Sequence, residues 1–191
     1  MSSPIAAPIE QGPKLTKATP VSLRDADITE SWLENEIVKD PDMLGLRDVS
    51  VIDRQRHQEK AGRLDLLLED DSGEKRYEVE LMLGPTDESH LIRTVEYWDI
   101  ERRKYPGYEH CAVLIAESVA ARFLNVISLF SGTVPFVAIQ VNGLMVDGKL
   151  VLNFVKVLDS RTLRKDETAE QKEKAVTDRQ FWDYQSECGH C

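Results

Sequence analysis

The sequence predicts a single α/β domain, and three features predict it. Its 191 residues, 41% hydrophobic and 30% charged, suffice for one sizeable core but would be cramped as two. Two strand-like segments, 63–69 and 76–83, flank Asp70-Asp71-Ser72-Gly73, a turn signal. Helical patterns lie on either side of this hairpin, one starting at Thr29 and one reaching Lys104.

Residues 1–26 are rich in Pro, Ser, Ala and Lys without any periodicity and are expected to be a flexible arm. Order is expected from 27 to 159. Thr29 suits an N-cap, Ile28 and Leu33 are spaced as a hydrophobic staple, and Glu30 suits the positive end of a helix dipole. Leu33 and Ile37 continue the stripe, and Pro41 ends it. A strand is expected over 48–55 and a polar loop over 57–62. In 76–83, Tyr77, Val79, Leu81 and Leu83 share one face, and Arg76, Glu78, Glu80 and Met82 the other. Gly84-Pro85-Thr86 breaks this strand, and a helix follows to Lys104. Its apolar stripe is Leu91, Val95 and Trp98; His90, Arg93, Tyr97 and Glu101 form a polar, partly aromatic face. A short strand at 111–116, a buried helix at 119–130 and strands around Asp147-Gly148 complete the domain. Residues 160–191 are charged, weakly helical and end in Phe181, Trp182 and Tyr184.

Composition excludes several classes. No apolar run is long enough to cross a bilayer, and no signal peptide is expected, since the first residues lack a basic segment followed by an apolar core. Cys111, Cys188 and Cys191 do not make a disulfide framework, so a reducing cytoplasm is the expected setting. Cys188-Gly189-His190-Cys191 is half a zinc knuckle with no second pair. His57 and His110 fall in expected loops without metal-ligand spacing. A net charge of -10 argues against a surface that coats nucleic acid, though a locally basic cleft remains compatible with it. Nothing decides between a monomer and a homodimer.

Two acids stand out. Asp65 sits in an apolar strand, where a carboxylate is costly without a partner. Glu80 lies on the next strand, across a tight turn. A β-meander brings such carboxylates together, where they repel unless a cation lies between them. Hard oxygen ligands suit Mg²⁺ or Mn²⁺, and Glu30 or Glu34 could complete the acidic shell. The bland alternative is that Glu78 and Glu80 line the solvent face of a half-exposed hairpin.

Together, Thr29-Glu30 with Leu33, Pro41 and Leu44-Gly45, then Gly62-Arg63-Leu64-Asp65-Leu66-Leu67, then Glu78-Val79-Glu80-Leu81-Met82 resemble the PD-(D/E)XK nuclease superfamily. The likeness is greatest to mismatch-directed and archaeal-type endonucleases and covers roughly residues 28–116, more weakly to 159. Residues 87–93, with Glu96, Trp98 and Glu101, resemble a bacterial branch. This resemblance implies a restriction-endonuclease-like mixed central sheet flanked by helices and Mg²⁺-dependent cleavage of DNA or RNA. It also implies Asp65 and Glu80 as metal carboxylates and Glu30 as the helical glutamate, ahead of Glu34.

The departure is Met82, which stands where the superfamily motif has lysine and carries no charge. Lys75 has the wrong strand parity to replace it. Lys60, Arg63, His90 and Arg93 are the candidate phosphate contacts, although His90 and Arg93 could equally pair with neighbouring acids. Two functional classes follow: a nuclease weakened at Met82, or a non-catalytic module that binds nucleic acid or protein.

Overall fold

A computed structural model describes residues 15–58, 61–130 and 132–160. Thr29 caps α1 (Glu30–Lys39), its hydroxyl accepting the Trp32 N–H at 3.1 Å. Pro41 cannot continue that ladder, and a 3-10 turn, Pro41–Leu44, follows and closes on Gly45 at φ +65°. Strands β2 (Val49–Gln58), β3 (Gly62–Asp70) and β4 (Lys75–Leu81) form an antiparallel meander, with the Asp-Asp-Ser-Gly turn between β3 and β4.

From β4 the chain passes through α2 (Glu88–Lys104), capped by Asp87, to β5 (Glu109–Ala116), which lies parallel to β4. A second crossover, α3 (Ala121–Phe130), leads to β6 (Phe136–Val146), parallel to β5. β7 (Lys149–Asp159) returns antiparallel on β6 through Asp147 and Gly148, both at positive φ as a tight two-residue hairpin requires. With β1 (Thr19–Val21) also on β6, the seven-stranded mixed sheet has the order β1-β6-β5-β4-β3-β2, and β7 branches from β6. The mixed sheet flanked by helices agrees with the sequence reading.

Alternation along β4 divides the core. Tyr77, Val79, Leu81 and Leu83 join Leu33 and Ile37 of α1 in one cluster; Met82 joins Leu91, Trp98, Phe123 and Ile127 of α2 and α3 in the other. Each fully buried leucine such as Leu33 contributes about 1.5–3 kcal/mol through burial.

Several local expectations change. Residues 19–21, inside the segment expected to be a flexible arm, pair with Met145, Leu144 and Gly143, and Leu23 is fully buried. Tyr97 and Glu101, assigned to the polar face of the second helix, are both at 0% exposure, because that helix packs on the sheet with more than one stripe. His57 lies in β2 and His110 in β5, not in loops. The helix expected to be buried leaves Val126 and Leu129 exposed. The expected tail after Ser160, with its aromatic and Cys-Gly-His-Cys segments, lies outside the described residues, as does Lys60. No helix among the described residues is long and apolar enough to cross a membrane.

Candidate active site

The paired register of β3 and β4 ends with Leu66 opposite Val79, and Asp65 and Glu80 are the next residues on each strand. There the ladder gives way to a side chain: Asp65 Oδ2 accepts the Leu81 N–H at 2.8 Å. Two residues further, Leu83 N–H reaches Glu30 Oε1 at 3.0 Å, which ties the first turn of α1 to the strand end. The backbone therefore holds both Asp65 and Glu30.

Glu34, one turn along α1, is committed elsewhere. Arg54 Nε and Nη2 donate to its Oε1 at 2.9 and 2.8 Å, and Gln55 Nε2 donates to its Oε2 at 2.8 Å. The same amide donates to Asp65 Oδ1 at 3.1 Å. Glu30, Ser31, Glu34, Arg54, Gln55, Asp65 and Leu81 line one open cleft. Glu80 does not line it. It lies behind, at 0% exposure, under α2.

The electrostatics of Glu80 follow from that position. Burial, then the neighbouring Asp65 carboxylate, push its pKa up to about 8, with Arg93 opposing and Glu30 adding to the rise. Asp65 is also raised, chiefly by burial and against its hydrogen bonds from Leu81 and Gln55. Arg93 Nη2 lies 2.6 Å from Glu80 Oε1, an ion pair between a buried acid and a half-buried base. Glu80 Oε2 is buried and has no hydrogen-bond partner. Such an oxygen is costly unless it takes a proton or a cation.

The donor chemistry fits a hard divalent cation: two carboxylates meet at a strand end, and one of them has an unpartnered buried oxygen. Among the described residues no three His, Cys, Asp or Glu side chains form a ready-made metal group. The fit is that of a two-carboxylate site, with Glu30 and Glu34 each occupied by other partners.

The candidate phosphate contacts separate. Arg93 pairs with Glu80, and its Nε reaches Tyr97 Oη at 3.3 Å. His90 Nδ1 is 2.8 Å from Asp87, the N-cap of its own helix, so its placement is explained structurally. Arg63 is exposed and has no ion-pair partner among the described residues. Met82 shares the α2-facing side with Glu80 but is packed among apolar neighbours at 4% exposure. The half-exposed hairpin alternative does not hold, since Glu78 and Glu80 are both fully buried. Glu78 instead meets His110 Nδ1 at 2.7 Å, in a second polar network with Glu101, Arg56 and Gln58.

Gln55 was missed from sequence. It sits at φ +47°, a region that residues other than glycine rarely adopt, and its side chain joins Glu34 to Asp65. No sequence signal marks a glutamine for this backbone conformation.

No family model matches the sequence, and no curated protein matches it significantly. Solved structures do match in shape. An EndoMS–dsDNA2 complex superposes with a TM-score of 0.50 at 16% identity, covering 70% of this chain and 49% of that one. A repair endonuclease from Pyrococcus abyssi gives 0.47 at 17% identity over 67% of each chain. Pyrococcus furiosus SfsA in complex with Ca²⁺ gives 0.41 at 15% identity over 69% and 64%. This chain thus spans about half the length of the EndoMS chain. The strand order, the two parallel crossovers and this superposition together give the chain a restriction-endonuclease-like fold, a mixed central sheet flanked by helices.

Proposed function

We propose that this chain acts on nucleic acid as a divalent-cation-dependent phosphodiesterase, with Mg²⁺ or Mn²⁺ held by Asp65 and Glu80. The observation that carries this reading is Glu80: fully buried beside Asp65, pushed up to about 8, with neither oxygen accepting a hydrogen bond and only Oε1 in an ion pair. Asp65 and Glu80 would hold the cation, whose charge would offset the burial and mutual repulsion of the two carboxylates. When bound, it supplies a water of lowered pKa and withdraws charge from a phosphoryl oxygen. The chain's own residues fix the geometry. Leu81 N–H and Gln55 orient Asp65, and Leu83 N–H anchors Glu30 at the cleft wall.

The EndoMS neighbour was solved with double-stranded DNA, and nucleic acid is the partner class proposed here. Affinity is expected to be low and to fall steeply with salt. Net charge is -10, and Arg54, Arg56 and Arg93 are each paired with an acid, leaving Arg63 as an available phosphate contact.

A second reading, a module that binds without cleaving, is favoured by Met82. An apolar side chain in an apolar cluster replaces the motif lysine that helps activate water. A cleavage time course with Mg²⁺ and with Mn²⁺ on single- and double-stranded DNA and RNA separates the two. The enzyme reading expects slow, chelator-sensitive cleavage that Asp65→Asn lowers by at least about 10²-fold. Binding without cleavage of any substrate supports the module; cleavage unchanged in Asp65→Asn refutes the assigned site.

A further inference from the structure

We propose that Arg93 is the resident counter-cation of the carboxylate pair, and that a divalent cation enters by displacing its guanidinium from Glu80. This rests on the cation site proposed above.

The two ends of the ion pair are unequal. Glu80 is at 0% exposure on the middle of a seven-stranded sheet, whereas the Arg93 side chain is 39% exposed on α2. The carboxylate is fixed and the guanidinium can leave. Arg93 also has a second partner to turn on. Tyr97, one helical turn along, lies under it with the ring centroid 5.8 Å from the guanidinium carbon and the hydroxyl 3.3 Å from Nε. Tyr97 is itself fully buried and donates to the Ala61 carbonyl at 2.9 Å. Released from Glu80, Arg93 keeps that ring and hydroxyl while its Nη groups swing outward.

The two cations compete for one buried carboxylate, Arg93 on Oε1 and the divalent cation on the unpartnered Oε2. Nη2 lies 2.6 Å from Glu80 Oε1, and Mg²⁺ would sit about 2.0–2.1 Å from Oε2, which puts two positive groups on the two oxygens of one buried carboxylate. Like charges at that separation also repel. Displacement leaves a planar five-donor group on α2 beside Glu80, suited to a phosphodiester oxygen. Arg93 thereby couples loading of the cation to capture of phosphate.

The test uses Mn²⁺ alone, titrated over a pH series at one ionic strength into wild type, Arg93→Met and Arg93→Gln, and compares the affinities of the deprotonated site. Free Mn²⁺ is read by electron paramagnetic resonance. Removing a competing cation should tighten Mn²⁺ binding at least ten-fold in both variants. Wild-type protein labelled with ¹⁵N should show the Arg93 Nε–H resonance, assigned by its loss in Arg93→Met, moving on addition of Mg²⁺. If wild type binds Mn²⁺ and both variants bind equally or more weakly, the competition is wrong while the cation site stands. If wild type and both variants bind no Mn²⁺, the site itself is wrong and this inference falls with it.

Discussion

Gln55 donates from a single amide nitrogen to two carboxylates on different elements, at 2.8 Å to Glu34 of α1 and 3.1 Å to Asp65 of β3. It does so from a backbone at φ +47°, which costs a residue with a Cβ about 1–2 kcal/mol. Alanine at this position keeps the strain and loses both hydrogen bonds; glycine loses the hydrogen bonds but relieves the strain. Urea denaturation should therefore rank stability as wild type, then Gln55→Gly, then Gln55→Ala, with about 1 kcal/mol between the last two. Alanine equal to or better than glycine would show that the left-handed backbone is not retained.

Glu80 makes stability fall as pH rises. Its carboxyl is raised to about 8 from an ordinary 4.5, so between those values the folded protein holds a proton that the unfolded chain has released. The penalty is absent below about pH 4.5 and complete above about pH 8. Glu80→Gln removes a group that must otherwise ionise in the core. The variant should match wild type near pH 5 and exceed it by about 2–4 kcal/mol at pH 8, read from denaturant midpoints. A constant difference across this range would contradict a raised Glu80.

His110 behaves as a partner to Glu78. Nε2 faces the Tyr105 carbonyl at 2.9 Å, an acceptor only, so that nitrogen carries hydrogen. Nδ1 at 2.7 Å from Glu78 then shares one further proton with the carboxyl. Burial opposes a charged imidazole, but the Glu78 hydrogen bond and charge leave the His110 pKa raised above its usual value, while burial lifts Glu78 to about 7. The imidazole's contribution is complete below about pH 6.5 and is lost as pH rises through its folded value. His110→Ala should cost about 2–4 kcal/mol at pH 6 and clearly less at pH 9. A loss that does not depend on pH would mean that packing alone explains the residue.

Met82 is where sequence and packing disagree most usefully. Strand parity alone suggests that Met82→Lys fits beside Glu80 with little loss of packing. The side chain is in fact 4% exposed among Leu91, Trp98 and Phe123. An ammonium there is desolvated unless it reaches Glu80, and the substitution should destabilise by about 2–4 kcal/mol, whereas Met82→Leu should cost less than about 1.5 kcal/mol. Thermal or urea unfolding of both variants checks this. If Met82→Lys folds and keeps wild-type stability, its ammonium is paired with Glu80, and its cleavage rate should then exceed that of wild type.

Much of the fold was legible because its signals are local. The Thr29 cap, the Asp-Asp-Ser-Gly turn, the alternation of β4 and the breaker at Gly84-Pro85 each act over a few residues. What escaped depends on contacts distant in sequence. Short β1 exists only because β6 offers it an edge, and no periodicity in three residues announces that. Tyr97 and Glu101 look polar on a helical wheel but are covered by the sheet. At the site, the apolar surroundings of Asp65 and the parity of Glu80 were readable. Gln55 was not, since its role depends on an unusual φ. Arg93 was readable only as one of several basic residues, because its pairing with Glu80 joins α2 to β4 across the sheet face.

Diffraction at the manganese edge from crystals soaked in Mn²⁺ near pH 8 tests the central claim most directly, since it locates the ion without depending on turnover. The account predicts one anomalous peak at about 2.0–2.2 Å from a carboxylate oxygen each of Asp65 and Glu80, absent from Asp65→Asn crystals, with Arg93 turned away from Glu80. A peak confined to other residues, or none while Arg93 stays on Glu80, would contradict it.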